Sequence, residues 1–403
     1  MTARQAEEYL LGLELFGMRF GLDRMHKLMT VLGLPQRRFA SIHVVGTNGK
    51  SSTVRFCAAI LERHGLRSGS YTSPHLRSFR ERIEVGEEPV SEADFAAAVT
   101  RAAHAAELVN RTADPDDQVT QFEALTAAAY YELARRDVEV AVIEAGLGGR
   151  FDATNVIPSK VQVLTNVGLE HTRWLGPTVR DIAQEKLAVV RDHATLVMPA
   201  ELDPDVEAVA AAAPARRVRA EPVSGGFQDA NFALAEVAAR AFLERGLDPA
   251  AVAAARRETR IPGRLDVVET DPLTIYDGAH NPSGAAALAR ALPEVLGERR
   301  PRVGVVSVLE DKDAAGMLRE LLPVFDRFVF TRCANPRALS PATLESLAAK
   351  LGDVPAETVA DARAAVSRAR ELAGPAGAVV ATGSIYLVGD LMREAGDARA
   401  SSM

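Results

Sequence analysis

Short, β-branched apolar runs alternate along the chain with longer segments rich in Ala and Leu. The runs at residues 42–45, 138–143, 161–165, 273–276, 302–308, 327–331 and 378–382 read as strands, several of them apolar on both faces. Between most of them lie stretches of helical character, clearest at 53–64 and 283–296. Alternation of this kind predicts an α/β fold, a mostly parallel sheet covered by helices on both faces. No internal repeat stands out. A helical stretch ends near 256–263, where Ile261-Pro262-Gly263 punctuates the chain. Four strand candidates follow, so the pattern predicts a larger domain over residues 1–260 and a smaller α/β domain over 261–403. Residues 192–226, rich in Ala, Pro and Arg, fit neither pattern well.

Composition narrows the class. At roughly 100–200 residues per domain, 403 residues predict two or three domains. The apolar share of 47% allows a large core. A net charge of −7 argues against a broad basic surface for nucleic acid. Cys57 and Cys333 make neither a disulfide framework nor a metal-ligand spacing. The first residues carry acids before a short apolar stretch, unlike a secretory signal, and no apolar run reaches about 18 residues. The expectation is a cytoplasmic protein with neither a membrane nor a nucleic-acid partner. Only six lysines stand among 47 basic residues: Lys27, Lys50, Lys160, Lys186, Lys312 and Lys350. In so arginine-rich a chain, a surviving lysine marks a place where a compact charge or a neutral amine is useful.

Four motifs carry chemistry, each at the end of a strand. Gly46-Thr47-Asn48-Gly49-Lys50-Ser51-Ser52 stands between a strand and a helix, the context in which backbone N–H groups and a helix N-terminus hold phosphates. Lys50 would neutralise them and a following hydroxyl would ligate Mg²⁺; an ordinary glycine turn is the alternative. The run 138–143 ends in Glu144, followed by Ala145-Gly146-Leu147-Gly148-Gly149-Arg150. That is an acid placed to meet a metal and glycines that admit a ligand, although many strands end in an acid. His171 follows the run 161–165, either as a ligand or as a solvated side chain. Tyr276-Asp277-Gly278-Ala279-His280-Asn281-Pro282 puts a carboxylate and an imidazole at a strand end. A helix cap through Asn281 or Ser283 would explain its Asn and Gly but not Asp and His together.

In this order, these motifs resemble the folylpolyglutamate synthase/dihydrofolate synthase family of the Mur ligase superfamily. Further matches are Phe20-Gly21-Leu22-Asp23-Arg24-Met25, Thr72-Ser73-Pro74-His75-Leu76, Phe122-Glu123-Ala124-Leu125-Thr126-Ala127, Phe151-Asp152-Ala153-Thr154-Asn155, Glu185-Lys186, Gly263-Arg264, Asp311-Lys312-Asp313 and Thr382-Gly383-Ser384. The resemblance implies a doubly wound, mostly parallel phosphate-loop domain followed by a smaller Rossmann-like one. It implies ATP-dependent amide formation: a pteroyl or folate carboxylate takes the γ-phosphoryl group, and the amine of L-glutamate displaces phosphate.

The roles it implies are specific. Thr47, Asn48, Gly49, Lys50, Ser51 and Ser52 would line the ATP phosphates. Asn231, Arg264 and Asp277 would contact ATP, the last two from the C-terminal domain. Ser73, Glu144, His171 and either Ser51 or Ser52 would hold magnesium. Lys186, N-carboxylated, would help hold a second Mg²⁺. Asp277 and His280, with Lys50, Lys186 and His171, are the candidates for the catalytic step. Thr120, Gln121, Phe122 and Glu123, with Phe151, Asp152 and Ala153 and a less closely matched Met18-Arg19-Phe20, would meet the pterin of dihydropteroate or a reduced folate. Phe122 serves equally as core. A monomer is implied. A Mur-type ligase acting on a non-folate acid, and a nucleotide-binding module without ligase activity, are the alternatives. Lys312 has a motif but no mechanism.

Overall fold

A computed structural model describes residues 1–13 and 21–393 of the chain. The stretch Met18-Arg19-Phe20 therefore lies outside the described residues. The chain divides into two compact units, one of 1–74 with 79–259, the other of His75–Ser78 with the chain from Arg260 onward. A border drawn at residue 260 alone misses the second unit's claim on His75–Ser78. There Leu76 packs beside Val388 and Leu391 in an apolar cluster, and its carbonyl accepts from Arg393 Nε at 3.2 Å.

The first unit is built on β1 (Ala40–Val45), β2 (Ser68–Tyr71), β3 (Ile83–Val85), β4 (Glu88–Pro89), β5 (Val140–Glu144), β6 (Val161–Leu164), β7 (Thr195–Met198) and β8 (Arg216–Arg219). Among the described residues these form one sheet in the order β4-β3-β2-β5-β1-β6-β7-β8. β2 and β5 to β8 run parallel with β1, while β3 and β4 are antiparallel additions at one edge. β1, β5 and β6 are buried along nearly their whole length, as a parallel strand covered on both faces must be. Helices Glu92–Asn110 and Gln121–Arg135 pack an alanine-rich core against Tyr71, Ala141 and Ile143. Helices Lys50–Arg63 and Phe227–Leu243 pack against each other, the first also on β1, β2 and β5 and the second on β6 and β7. The carboxyl ends of β1, β5 and β6 thus lie side by side, where a doubly wound sheet binds its ligand.

Residues 192–226, unreadable as pattern, supply β7, helix Pro204–Ala211 and β8. β8 reads Arg-Arg-Val-Arg and is mostly exposed. An edge strand clothed in arginine resists pairing with other chains, and for that reason lacks the apolar signature of a strand.

The second unit carries β9 (Asp266–Thr270), β10 (Leu273–Tyr276), β11 (Arg302–Val306), β12 (Arg327–Phe330), β13 (Ala356–Thr358) and β14 (Ala378–Thr382), in the order β13-β12-β11-β14-β10-β9. All neighbours are parallel except β9 with β10. Apolar clusters fill both faces, around Leu288, Leu318 and Phe328 on one and Val305, Val366 and Leu387 on the other. No helix among the described residues is long and apolar enough to cross a membrane.

Candidate active site

β1 ends at Val45, the chain turns through residues 46–49, and helix Lys50–Arg63 begins at once. Gly46 (φ 152°) and Gly49 (φ 82°) occupy backbone space that side chains avoid. A Cβ on Gly46 would run into the Thr165 hydroxyl, and one on Gly49 into the Asn231 carboxamide. The loop is fastened to the chain that follows β6. Thr47 N donates to the Asn166 carbonyl (2.9 Å) and Asn48 N to Asn166 Oδ1 (2.9 Å). Thr165 Oγ1 donates to the Asn48 carbonyl (2.6 Å), and Gly168 N donates to Thr47 Oγ1 (3.0 Å). The first bond of the helix ladder is Thr53 N to Gly49 O, so the N–H groups of its opening turn point out along the axis, the positive end of the helix dipole.

Two lysines converge on this loop. Lys50 Nζ donates to the Thr47 carbonyl at 3.2 Å. Lys186, on helix Val179–Leu187, is buried and donates Nζ to the Gly46 carbonyl at 2.8 Å. Burial first, and then the charge of Lys50, push the Lys186 ammonium down to about 7, against the opposing pull of Glu170 and Asp152. A primary amine that is substantially neutral near neutral pH can act as a nucleophile.

Beside the loop, Glu144 closes β5, nearly fully buried, and its Oε2 accepts from Ser73 N at 3.2 Å. His171 sits at φ 50°, a left-handed conformation costing about 1–2 kcal/mol for a side-chain-bearing residue, and lies 3.6 Å from Glu170. Of the two serines after Lys50, Ser52 is buried and Ser51 half-buried.

The acceptor candidates form an inner frame rather than an open wall of polar groups. Thr120 and Glu123 cap helix Gln121–Arg135 reciprocally, and Glu123 also accepts from Arg24 Nε at 3.0 and 3.1 Å. Arg24, itself buried, binds Asp117 as well. Gln121 Nε2 donates to the Leu10 carbonyl (2.8 Å). Asp152 accepts from Leu147 N (2.7 Å), Thr154 N (3.0 Å) and Thr154 Oγ1, and burial pushes its carboxyl upward against those bonds. Ala153 is buried and Phe151 half-buried. Phe122 lies on Gly146 so closely that a Cβ there would come within 2.5 Å of its ring, and Tyr71 is its ring neighbour at 6.2 Å. Sequence reasoning gave no role to Arg24, His43, Thr154 or Asn166. Arg24 and His43 are single polar residues whose partners lie far away in the chain, and the contact of Thr154 with His43 is equally remote in sequence.

In the second unit, the loop after β10 folds around Asp277. Its Oδ1 accepts from Ala279 N and its Oδ2 from Leu265 N, both at 2.9 Å. Burial raises the Asp277 carboxyl, with Arg264 and these backbone bonds pulling the other way. Arg264 lies across Gly278, where a Cβ would strike its guanidinium. His280 Nδ1 is 2.9 Å from the Gly278 carbonyl. A carbonyl only accepts, so Nδ1 carries the proton and Nε2 is the basic nitrogen of the neutral ring. Asn281 caps helix Pro282–Leu296. In Asp311-Lys312-Asp313, Asp313 caps helix Ala314–Leu321, Asp311 pairs with Arg337, and Lys312 Nζ stands 3.9 Å from Asp311.

Residues 44–242 match the Mur ligase middle domain, and residues 263–385 match the Mur ligase glutamate ligase domain. The dihydrofolate synthase/folylpolyglutamate synthase of Mycobacterium tuberculosis is 36% identical over 381 residues, spanning 82% of this chain and 77% of that protein. The chain belongs to the folylpolyglutamate synthase/dihydrofolate synthase family.

Solved members of the family have the same architecture. M. tuberculosis folylpolyglutamate synthase, complexed with ADP and AMPPCP, matches with a TM-score of 0.88 at 34% identity, over 96% of this chain and 97% of that one. The bifunctional folylpolyglutamate synthase/dihydrofolate synthase of Yersinia pestis, with Mn, AMPPNP and L-glutamate bound, matches with a TM-score of 0.83 at 30% identity, over 97% of each chain. Membership makes this chain a ligase of the Mur type, and the paired α/β units follow the family fold.

Proposed function

We propose that this ligase uses ATP to phosphorylate the carboxylate of a pteroyl or folate acceptor and then joins it to L-glutamate. The observation that carries the reading is the convergence of Lys50 and Lys186 on one glycine loop beside the buried Glu144. A carboxylate is a poor electrophile, and phosphorylation supplies its leaving group. The acceptor oxygen bonds to the γ-phosphorus as the bond to ADP breaks. The glutamate amine then adds to the acyl carbon, loses a proton, and phosphate departs. Catalysis of such steps is mainly positioning and neutralisation of charge.

In this reading Thr47 to Ser52 cradle the phosphates with Asn231, and Lys50 offsets charge on the transferring group. Ser73, Glu144 and His171 suit a hard cation, and Ser51 is the better-placed loop hydroxyl because it retains exposure. Among the described residues no three His, Cys, Asp or Glu side chains form a ready cation cage. When bound, Mg²⁺ supplies Lewis-acid neutralisation of phosphoryl charge. Lys186 is the proposed site of N-carboxylation, which turns a buried cation into an anion able to hold a second metal; its lowered pKa supports this. Arg264 and Asp277 are assigned to ATP. His280 Nε2 is assigned to the proton of the glutamate amine, its tautomer set by the Gly278 carbonyl. The frame of Thr120–Glu123 and Phe151–Ala153 is assigned to the pterin, with Phe122 as the stacking face. A cytoplasmic monomer belongs to the same proposal, and light scattering tests the monomer.

The deciding experiment measures phosphate release with ATP, Mg²⁺ and glutamate, offering dihydropteroate or tetrahydrofolate. Release that requires both glutamate and a pteroyl acceptor is expected. Turnover with neither acceptor, but with a non-folate acid, would move the chain to another Mur-type reaction.

A further inference from the structure

β1 is a central strand, hydrogen-bonded on both sides, and it ends in the phosphate loop. Three residues before that loop, the strand carries a histidine where a core strand would ordinarily place an aliphatic residue. His43 is buried, and its Nε2 lies 2.8 Å from Thr154 Oγ1. Thr154 Oγ1 in turn donates to Asp152, and Asp152 accepts from the backbone of Leu147 and Thr154. Tyr130 OH donates to the Thr154 carbonyl at 2.9 Å. One carboxylate thus ties both limbs of the loop after β5, and one imidazole ties that carboxylate to β1.

The direction of each bond follows from the inventory of protons. The Asp152 carboxylate accepts only, so the single hydroxyl proton of Thr154 goes to it. The Thr154 oxygen is left to accept, and His43 Nε2 must donate. The other ring nitrogen, Nδ1, is buried with no hydrogen-bond partner. Burial pushes the imidazolium down to about 3, so the ring stays neutral with its proton on Nε2. A core leucine of similar size would leave no ring nitrogen unpaired. What His43 supplies, and leucine could not, is one directed hydrogen bond.

We propose that His43 is a positioning residue. Through Thr154 it fixes the Asp152 carboxylate and the loop 146–155, and so sets the acceptor frame against the phosphate loop three residues further along the chain. The proposal rests on the reading of that loop as part of the pteroyl site. It adds the group that holds the loop in register with the nucleotide.

The test compares the unsubstituted chain with H43L, H43Q and T154V. KM is measured for dihydropteroate, ATP and glutamate in turn, alongside thermal unfolding. H43L is expected to raise the dihydropteroate KM by roughly fivefold or more, the worth of one directed hydrogen bond, with the ATP KM changed less than about twofold. Its Tm should stay level or rise, because an unpaired buried nitrogen is removed. H43Q, which returns an N–H donor at similar reach, should recover most of the KM. T154V keeps the imidazole but leaves His43 Nε2 and Asp152 without their shared hydroxyl, so it should raise the dihydropteroate KM selectively and lower Tm as well; it carries the test if H43L does not fold. An unmoved dihydropteroate KM in H43L and T154V, or equal losses for all three substrates with a lowered Tm, would overturn the positioning role. If the unsubstituted chain turns over neither dihydropteroate nor tetrahydrofolate, the functional reading itself falls and the positioning role with it.

Discussion

Lys50 and Lys186 meet the same loop in different states. Lys50 begins a helix and stays half-buried, while Lys186 is buried and pushed down to about 7. Replacing Lys50 with Ala removes the cation proposed to offset charge on the phosphates and should lower turnover at least ~10²-fold, the range for one stabilising group at a reacting centre, in the phosphate-release assay. Lys186 makes a different prediction. A depressed ammonium sheds its proton as pH rises through about 7, and only the neutral amine adds CO₂. At constant dissolved ¹³CO₂, a carbamate ¹³C resonance distinct from that of the N-terminal amine should therefore grow from pH 6 to pH 8 and be absent in Lys186→Arg, whose guanidinium stays charged. A flat or missing signal in the unsubstituted chain would argue for an ordinary buried lysine. The arginine-rich composition made both lysines visible. It said nothing of His43 or Arg24, whose partners lie about a hundred residues away, nor of the bond that ties Thr154 to His43, and such pairs leave no local pattern.

At the scale of elements, caps and glycines place the site. Thr120 and Glu123 start helix Gln121–Arg135 with a reciprocal cap, and Glu123 is also gripped by Arg24. Thr120→Ala should cost about 1 kcal/mol of stability, read as a lower denaturant midpoint with unchanged slope. Gly146 lets the Phe122 ring lie on the backbone after β5. Gly146→Ala should displace that ring and raise the acceptor KM more than the ATP KM in steady-state kinetics. The main strands were legible because buried parallel strands are continuous apolar runs, and β1, β5, β6, β10, β11, β12 and β14 lie within a few residues of the expected positions. β2, β3, β4, β7, β8, β9 and β13 were not. β2 reads Ser-Gly-Ser-Tyr, β3 and β4 are only three and two residues long, and β8, β9 and β13 are mostly exposed or half-buried edge strands without a continuous apolar run.

For the whole molecule, two units with separate cores hold different parts of the proposed chemistry, the glycine loop and both loop lysines in one, Asp277 and His280 in the other. If the first unit binds nucleotide as proposed, AMPPNP with Mg²⁺ at 100 times its Kd should stabilise the folded chain by about 2.7 kcal/mol. Calorimetry should show that gain lost with a chelator and reduced in Lys50→Ala. The sequence by itself determined the α/β class, the glycine loop between a strand and a helix, and the strand-end acids and imidazoles, because each is written in residues adjacent in the chain and governed by local backbone chemistry. Only the tertiary structure decided that Lys186 sits buried against Gly46, that Asp152 and Glu123 face inward as fastenings, and that His75–Ser78 belongs with the second unit. Burial and hydrogen-bond partnership depend on which distant segments the sheet order brings together, and no local spacing records that.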